Sequence, residues 1–204
     1  MIGALVTLMS IVASIPTSTE PIPGIVISAG RGILHEAMPP GLKVAQAIRP
    51  WGRLPDPDDA AQWVVDQVEW MVEADIDPIM VVGSSKGGPP VILAAALRPA
   101  LFSSVGSIVL VSTSAGDQWG RDAFVDSYGG DVLQMVGGGE RGLLIGAMMN
   151  LQKQLGTRCV AGQSHLNIYG DEKHGFLGSH SRARRDLAAW SIERLGIDAP
   201  EQEE

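Results

Sequence analysis

The chain has 204 residues, 45% of them hydrophobic and 19% charged, with a formal net charge of −8. That length supports one sizeable core but not two ordinary domains plus a linker, and the composition is globular rather than disordered. The acidic balance repels phosphate backbones and argues against nucleic acid as a partner.

The single cysteine, Cys159, permits no internal disulfide and no cysteine-based zinc site, and it fits a reducing, cytoplasmic setting. Met1 to Ile15 is apolar and uncharged. It is shorter than the roughly 20 residues a spanning helix needs, so no stable membrane insertion is expected. It also lacks the basic start of a secretory signal. We read residues 1–20 as a core strand or docked segment, with a signal remnant or peripheral anchor as the other readings, so secretion stays open. Residues 197–204 form an acidic tail expected to be solvated, and residues 1–204 are read as one domain.

Short apolar runs alternate with amphipathic stretches, the pattern of a mostly parallel sheet covered by helices in a three-layer α/β/α architecture. Gly24 to Gly30 predicts a buried strand and Lys43 to Pro50 a weaker one. Asp56 then offers an N-cap for a helix running to about Ala74, with Val64, Val65, Val68, Met71 and Val72 facing inward. Pro78 to Gly83 predicts a central strand. The following segment, PPVILAAALRPALF, predicts a buried helix ending near Arg98-Pro99. Strands follow at Ser107 to Thr113 and Asp131 to Gly139, then a helix over about Arg141 to Leu155. Ser164 to Gly170 is the last strand. Ser181 to Leu195 is the final helix, with Leu187, Trp190, Ile192 and Leu195 turned in.

Gly83-Ser84-Ser85-Lys86-Gly87 matches G-x-S-x-G, with an apolar strand before it and a helix after it. That is the setting of a nucleophile elbow. A serine on a sharp strand-to-helix turn has strained backbone angles and tolerates only small neighbours, which Gly83, Ser84, Gly87 and Gly88 supply. The phosphate-loop reading fails because Lys86 precedes Gly87-Gly88, and a dinucleotide fingerprint from Gly30 would need glycine at His35. With no ligand cluster at zinc spacing either, no metal, nucleotide or other cofactor is expected.

A serine hydroxyl needs a base, usually histidine, whose ordinary pKa lies near operating pH. Of His35, His165, His174 and His180, the best placed is His174, between the last strand and the final helix. His180 is the fallback, and His165 reads as structural.

The order of strand, G-x-S-x-G, helix, further strands, an acid, a last strand, His174-Gly175-Phe176 and a terminal helix resembles the α/β-hydrolase superfamily. The His-Gly-Phe triplet is similar to its dienelactone-hydrolase-like branch, although Ser85 stands where that branch's namesake enzymes carry cysteine. The resemblance covers about Gly24 to Leu195. It implies an acid after the penultimate strand, here Glu140, with Asp117 one strand earlier as the alternative. Asp171 lies too close to His174 along the chain. It further implies an oxyanion hole built from the backbone N–H of Lys86 and a donor in the loop Ala29-Gly30-Arg31-Gly32, the Arg31 N–H being the candidate. Arg31 is otherwise a surface side chain or a ligand for a substrate carboxylate. Against the family pattern, the leading strands are reduced, and Ser114 to Gly130 is too short for a cap domain. Trp119, Phe124 and Tyr128 form a small flap or simply pack down, and Met148 and Met149 line an acyl pocket or fill the core.

The expected function is a cofactor-free serine esterase cleaving a small-to-medium carboxylic ester or thioester. The alternatives are a binding protein on an idle hydrolase scaffold, or a small peptidase of the same fold.

Overall fold

The computed structural model describes residues 22–29, 45–51, 56–113, 116–157, 162–170, 172–174, 176–178 and 181–197. The N-terminal segment, the loop containing Gly30, Arg31 and His35, and residues Cys159, Asp171, Gly175 and His180 lie outside them.

Six strands form one sheet: β1 (Gly24–Ala29), β2 (Ala45–Pro50), β3 (Ile79–Ser84), β4 (Val105–Val111), β5 (Asp131–Gly137) and β6 (Ser164–Tyr169). Their order is β2-β1-β3-β4-β5-β6, and every pairing is parallel. β1, β3 and β4 are apolar almost throughout because both faces of the sheet are covered there. The chain steps outward from β1 to β2, then returns to place β3 on the other side of β1. That reversal opens a crevice at the carboxyl ends of β1 and β3, the place where open α/β sheets bind ligands.

The helices are α1 (Pro57–Glu73), α2 (Gly88–Leu97), α3 (Pro99–Phe102), α4 (Arg121–Ser127), α5 (Gly142–Gly156) and α6 (Ser181–Leu195). α1 begins where the sequence predicts, with the Asp56 carboxylate accepting from the backbone N–H groups of Asp58 and Asp59. One sheet face packs on α1 to α5 through Val64, Val68, Met71, Val91, Ile92, Phe102, Phe124 and Leu151. The other packs on α6 through Ala183, Leu187 and Leu195, with Phe176 and Leu177 from the segment before it.

One expectation needs correction. Val72 is 38% exposed rather than inward, because adjacent helical residues are turned about 100° apart and Met71, fully buried, takes the inward position in that turn. The helix predicted to end near Arg98-Pro99 does so: α2 stops at Leu97, and a separate short helix, α3, covers Pro99–Phe102. Arg98 takes φ −128° and ψ 57° between α2 and α3, since the residue before a proline is disfavoured in the α region. Of the two readings of the aromatics between β4 and β5, packing down holds for Phe124 and Tyr128. Both are buried, their rings stacked with centroids 5.4 Å apart, and the Tyr128 hydroxyl donates to the Val105 carbonyl at 3.0 Å. The methionines divide as well: Met148 fills the core, while Met149 is exposed.

Candidate active site

β3 ends at Ser84, and Ser85–Gly87 form one 3-10 turn leading into α2. Ser85 has φ 52°, the left-handed region that a residue with a Cβ seldom adopts. This is the strained turn expected of the elbow. It needs glycine beside it: a Cβ on Gly87 would lie 2.0 Å from the Ser28 carbonyl oxygen of β1. The turn therefore rests directly on the neighbouring strand.

The candidate base comes from the other end of the chain. β6 stops at Tyr169, and His174 lies in the segment that follows. Phe176 and Leu177 anchor that segment in the core, with the Phe176 ring 5.2 Å from the Tyr169 ring. Ser85 Oγ and His174 Nε2 lie 2.7 Å apart, within hydrogen-bond range.

The candidate acid arrives on the loop after β5. Both oxygens of Glu140 lie 3.3 Å from His174 Nδ1, a shared and slightly long contact of the sort that tightens when substrate binds. The Glu140 side chain is 5% exposed and that of His174 54%. The carboxylate is therefore withdrawn from water, while the imidazole is open to solvent. Glycines permit this meeting of loops. A Cβ on Gly138 would lie 1.8 Å from the Gly170 carbonyl oxygen, and the Gly139 N–H donates to the Glu172 carbonyl at 2.9 Å. The glycine run read in the sequence as a strand stop is also what lets the two loops lie backbone to backbone.

Ser85, His174 and Glu140 are thus brought together in an order suited to proton transfer. Asp117 opens a 3-10 turn, Asp117–Trp119, and its side chain lies outside the described residues. Lys86 directly follows Ser85 in the turn, its side chain exposed. His165 sits on β6 with its ring against Trp190, centroids 5.5 Å apart, as its structural reading anticipates.

Two contacts at the site carry no sequence motif. Thr113, just after β4, donates its hydroxyl to the Ser85 carbonyl at 3.0 Å. Trp51, just after β2, donates its indole N–H to Ser28 Oγ at 2.9 Å and its backbone N–H to the Ala29 carbonyl at 2.7 Å. It thereby ties down the end of β1 on which the elbow rests. Among the described residues, no group of His, Cys, Asp or Glu could hold a metal ion, and no helix is long and apolar enough to cross a membrane.

No protein-family model and no curated protein sequence matches the chain. Solved structures do match. Est1E from Butyrivibrio proteoclasticus superposes with a TM-score of 0.64 at 17% identity, over 87% of this chain and 90% of that one. Est1E has also been solved with ferulic acid bound. The apo form of Thermogutta terrifontis esterase 2 gives 0.63 at 12% identity, over 89% of this chain and 87% of that one. A prolyl endopeptidase gives 0.63 at 15% identity, over 87% of this chain but 35% of its own length.

Proposed function

We propose that this chain, which has the α/β-hydrolase fold, is a serine hydrolase that cleaves a small-to-medium carboxylic ester or thioester through an acyl-enzyme on Ser85. The observation that carries the reading is the 2.7 Å approach of His174 Nε2 to Ser85 Oγ, with the buried Glu140 carboxylate on the far ring nitrogen.

The chemistry follows from that geometry. His174 Nε2 takes the Ser85 proton as Oγ attacks the ester carbonyl carbon. Glu140 holds Nδ1–H and offsets the positive charge gained by the ring. The tetrahedral oxyanion is held by the Lys86 N–H, with the loop of Gly30 and Arg31 proposed to supply the second donor. Collapse breaks the bond to the leaving alkoxide or thiolate, which takes the proton from His174. Water then attacks the acyl-enzyme, gives its proton to His174, and releases the carboxylic acid as Ser85 is reprotonated. Every proton in this cycle passes through one imidazole, so the reaction needs no cofactor.

The esterases among the structural neighbours support this reading over the peptidase one. The match to the prolyl endopeptidase covers 35% of that chain, against 90% for Est1E and 87% for esterase 2. Thermogutta terrifontis esterase 2 is phosphonylated by cyclosarin and phosphorylated by paraoxon, and the same reagent class provides the test. A fluorophosphonate probe should label the wild type and leave Ser85→Ala unlabelled. A panel of p-nitrophenyl esters beside matched amides should show turnover of esters alone. An unlabelled, inactive wild type would favour the idle-scaffold reading, and faster turnover of amides would favour the peptidase.

A further inference from the structure

We infer that Thr113 is a positioning residue for the oxyanion hole: its hydroxyl pins the peptide plane whose N–H is donated to the oxyanion. The inference rests on the acyl-enzyme reading of Ser85 and goes beyond it to a residue outside the proposed triad.

The peptide joining Ser85 to Lys86 is one rigid group. The one cis bond among the described residues is Asp77-Pro78, so this peptide is trans. Its carbonyl and its N–H therefore point in opposite directions and turn together. Any bond that fixes the Ser85 carbonyl also fixes the direction of the Lys86 N–H. That carbonyl accepts two bonds: one from the Gly88 backbone N–H inside the turn, and one from Thr113 Oγ1 at 3.0 Å. The first belongs to the turn itself and moves with it. The second comes from a different strand and ties the turn to the sheet.

The surroundings are shaped for this bond. Thr113 is 1% exposed, so its hydroxyl has no solvent competing for it. A Cβ on Gly88 would lie 1.9 Å from Thr113 Oγ1, so glycine there leaves the space the hydroxyl fills. Ser112, one residue earlier, has φ 46°. The chain leaves β4 through a left-handed residue that is not glycine, the second such kink beside Ser85 at the carboxyl ends of adjacent strands. Strain of this kind persists where neighbouring structure enforces it. The bend carries Thr113 beneath the elbow rather than onward along β4. Without the bond the turn keeps its own hydrogen bond and its contact with β1 but loses its tie to the end of β4, and the Lys86 N–H is free to swing out of line.

Thr113→Val keeps the side-chain shape and removes the hydroxyl, whereas Thr113→Ser keeps the hydroxyl and removes a methyl group. Removing an oxyanion donor outright costs about 10²–10³ in kcat, and loosening one should cost about tenfold. With p-nitrophenyl acetate, Thr113→Val is expected to lower kcat about tenfold with KM within about twofold, because the oxyanion exists only in the transition state. Inhibition by a trifluoromethyl ketone, which forms an anionic adduct with the serine, should weaken by the same factor. Thr113→Ser should recover most of both losses. If Thr113→Val does not fold, Thr113→Ala takes its place with the same readouts. Wild-type kcat in the hydroxyl-free variant would overturn the inference. So would a loss confined to KM or to thermal stability, or a serine variant as impaired as the valine one. Fluorophosphonate labelling of the wild type is measured first. An unlabelled wild type defeats the acyl-enzyme reading itself, whereas a labelled wild type with an unaffected Thr113→Val defeats only the role of Thr113.

Discussion

The backbone N–H of Gly139 donates to the carbonyl of Glu172 at 2.9 Å, one residue before Glu140 on one loop and two before His174 on the other. The Gly138 N–H makes a second link, to the Tyr169 carbonyl at 3.3 Å. Backbone bonds therefore set the spacing of these two side chains, and side-chain packing adds to it. Two backbone bonds thus join the loop of Glu140 to the segment of His174, while Ser85 is held separately by β3, β1 and Thr113.

Gly138→Ala tests that link. Its Cβ would fall 1.8 Å from the Gly170 carbonyl oxygen, a backbone atom that cannot swing aside. Overpacking of this kind costs about 1–3 kcal/mol, or roughly 2–4 °C of Tm per kcal/mol for a chain of this size. We expect a lowered Tm and turnover reduced at least about tenfold, since a shift of about 1 Å between base and nucleophile is enough for that. Thermal unfolding and ester kinetics on one preparation check both, and an alanine variant with wild-type turnover would mean the link is dispensable.

Ser85→Gly should be inactive yet more stable than the wild type. The left-handed conformation at φ 52° costs a residue with a Cβ about 1–2 kcal/mol, and glycine removes that cost. Ser85→Ala should be equally inactive without the gain in Tm. Calorimetry of the three proteins separates strain from the loss of the hydroxyl. A lower Tm for the glycine variant would show that the turn is not strained.

Glu140→Gln and His174→Ala should differ in kind. The glutamine variant should fold normally and lose about 10²–10⁴ in kcat, because its amide no longer stabilises a protonated ring. The alanine variant should fail to acylate, leaving no burst of p-nitrophenol. Asp117→Asn and His180→Ala should each retain most activity. If Asp117→Asn is the crippled acid variant instead, the acid belongs to the loop after β4.

Stability at high pH should report on Tyr128. Burial pushes its phenol well above the usual tyrosine value, and the nearby Asp131 carboxylate adds to the effect. The folded state thus holds the proton where the unfolded chain releases it. Stability is fully present below about pH 10, the unperturbed tyrosine value, and is lost as pH rises above it. Tyr128→Phe should flatten that alkaline decline, while costing about 1 kcal/mol at neutral pH through the bond lost to the Val105 carbonyl. Urea midpoints from pH 7 to 11 measure both effects. An equally steep decline in the phenylalanine variant would assign it to other groups.

Much of this protein is written in local pattern. Apolar runs at β1, β3, β4 and β5 mark strands buried on both faces, Asp56 marks the start of α1, and G-x-S-x-G between strand and helix marks the elbow. His174 could be singled out because parallel strands share a direction, so a loop leaving the end of β6 opens at the same edge as Ser85. Each of these signals lies within a few residues and reflects backbone preference or burial period. The tertiary structure decided the rest. Thr113 and Ser85 are 28 residues apart, and Trp51 and Ser28 are 23 apart. Nothing in the spacing of either pair announces a contact, because a lone hydroxyl or indole carries no periodicity. The same holds for Phe124 and Tyr128, which look like flap residues in a short segment but are drawn under α2 by the apolar area they bury. Register between strands and the close approach of glycine loops set these meetings, and both come into being only when the sheet closes.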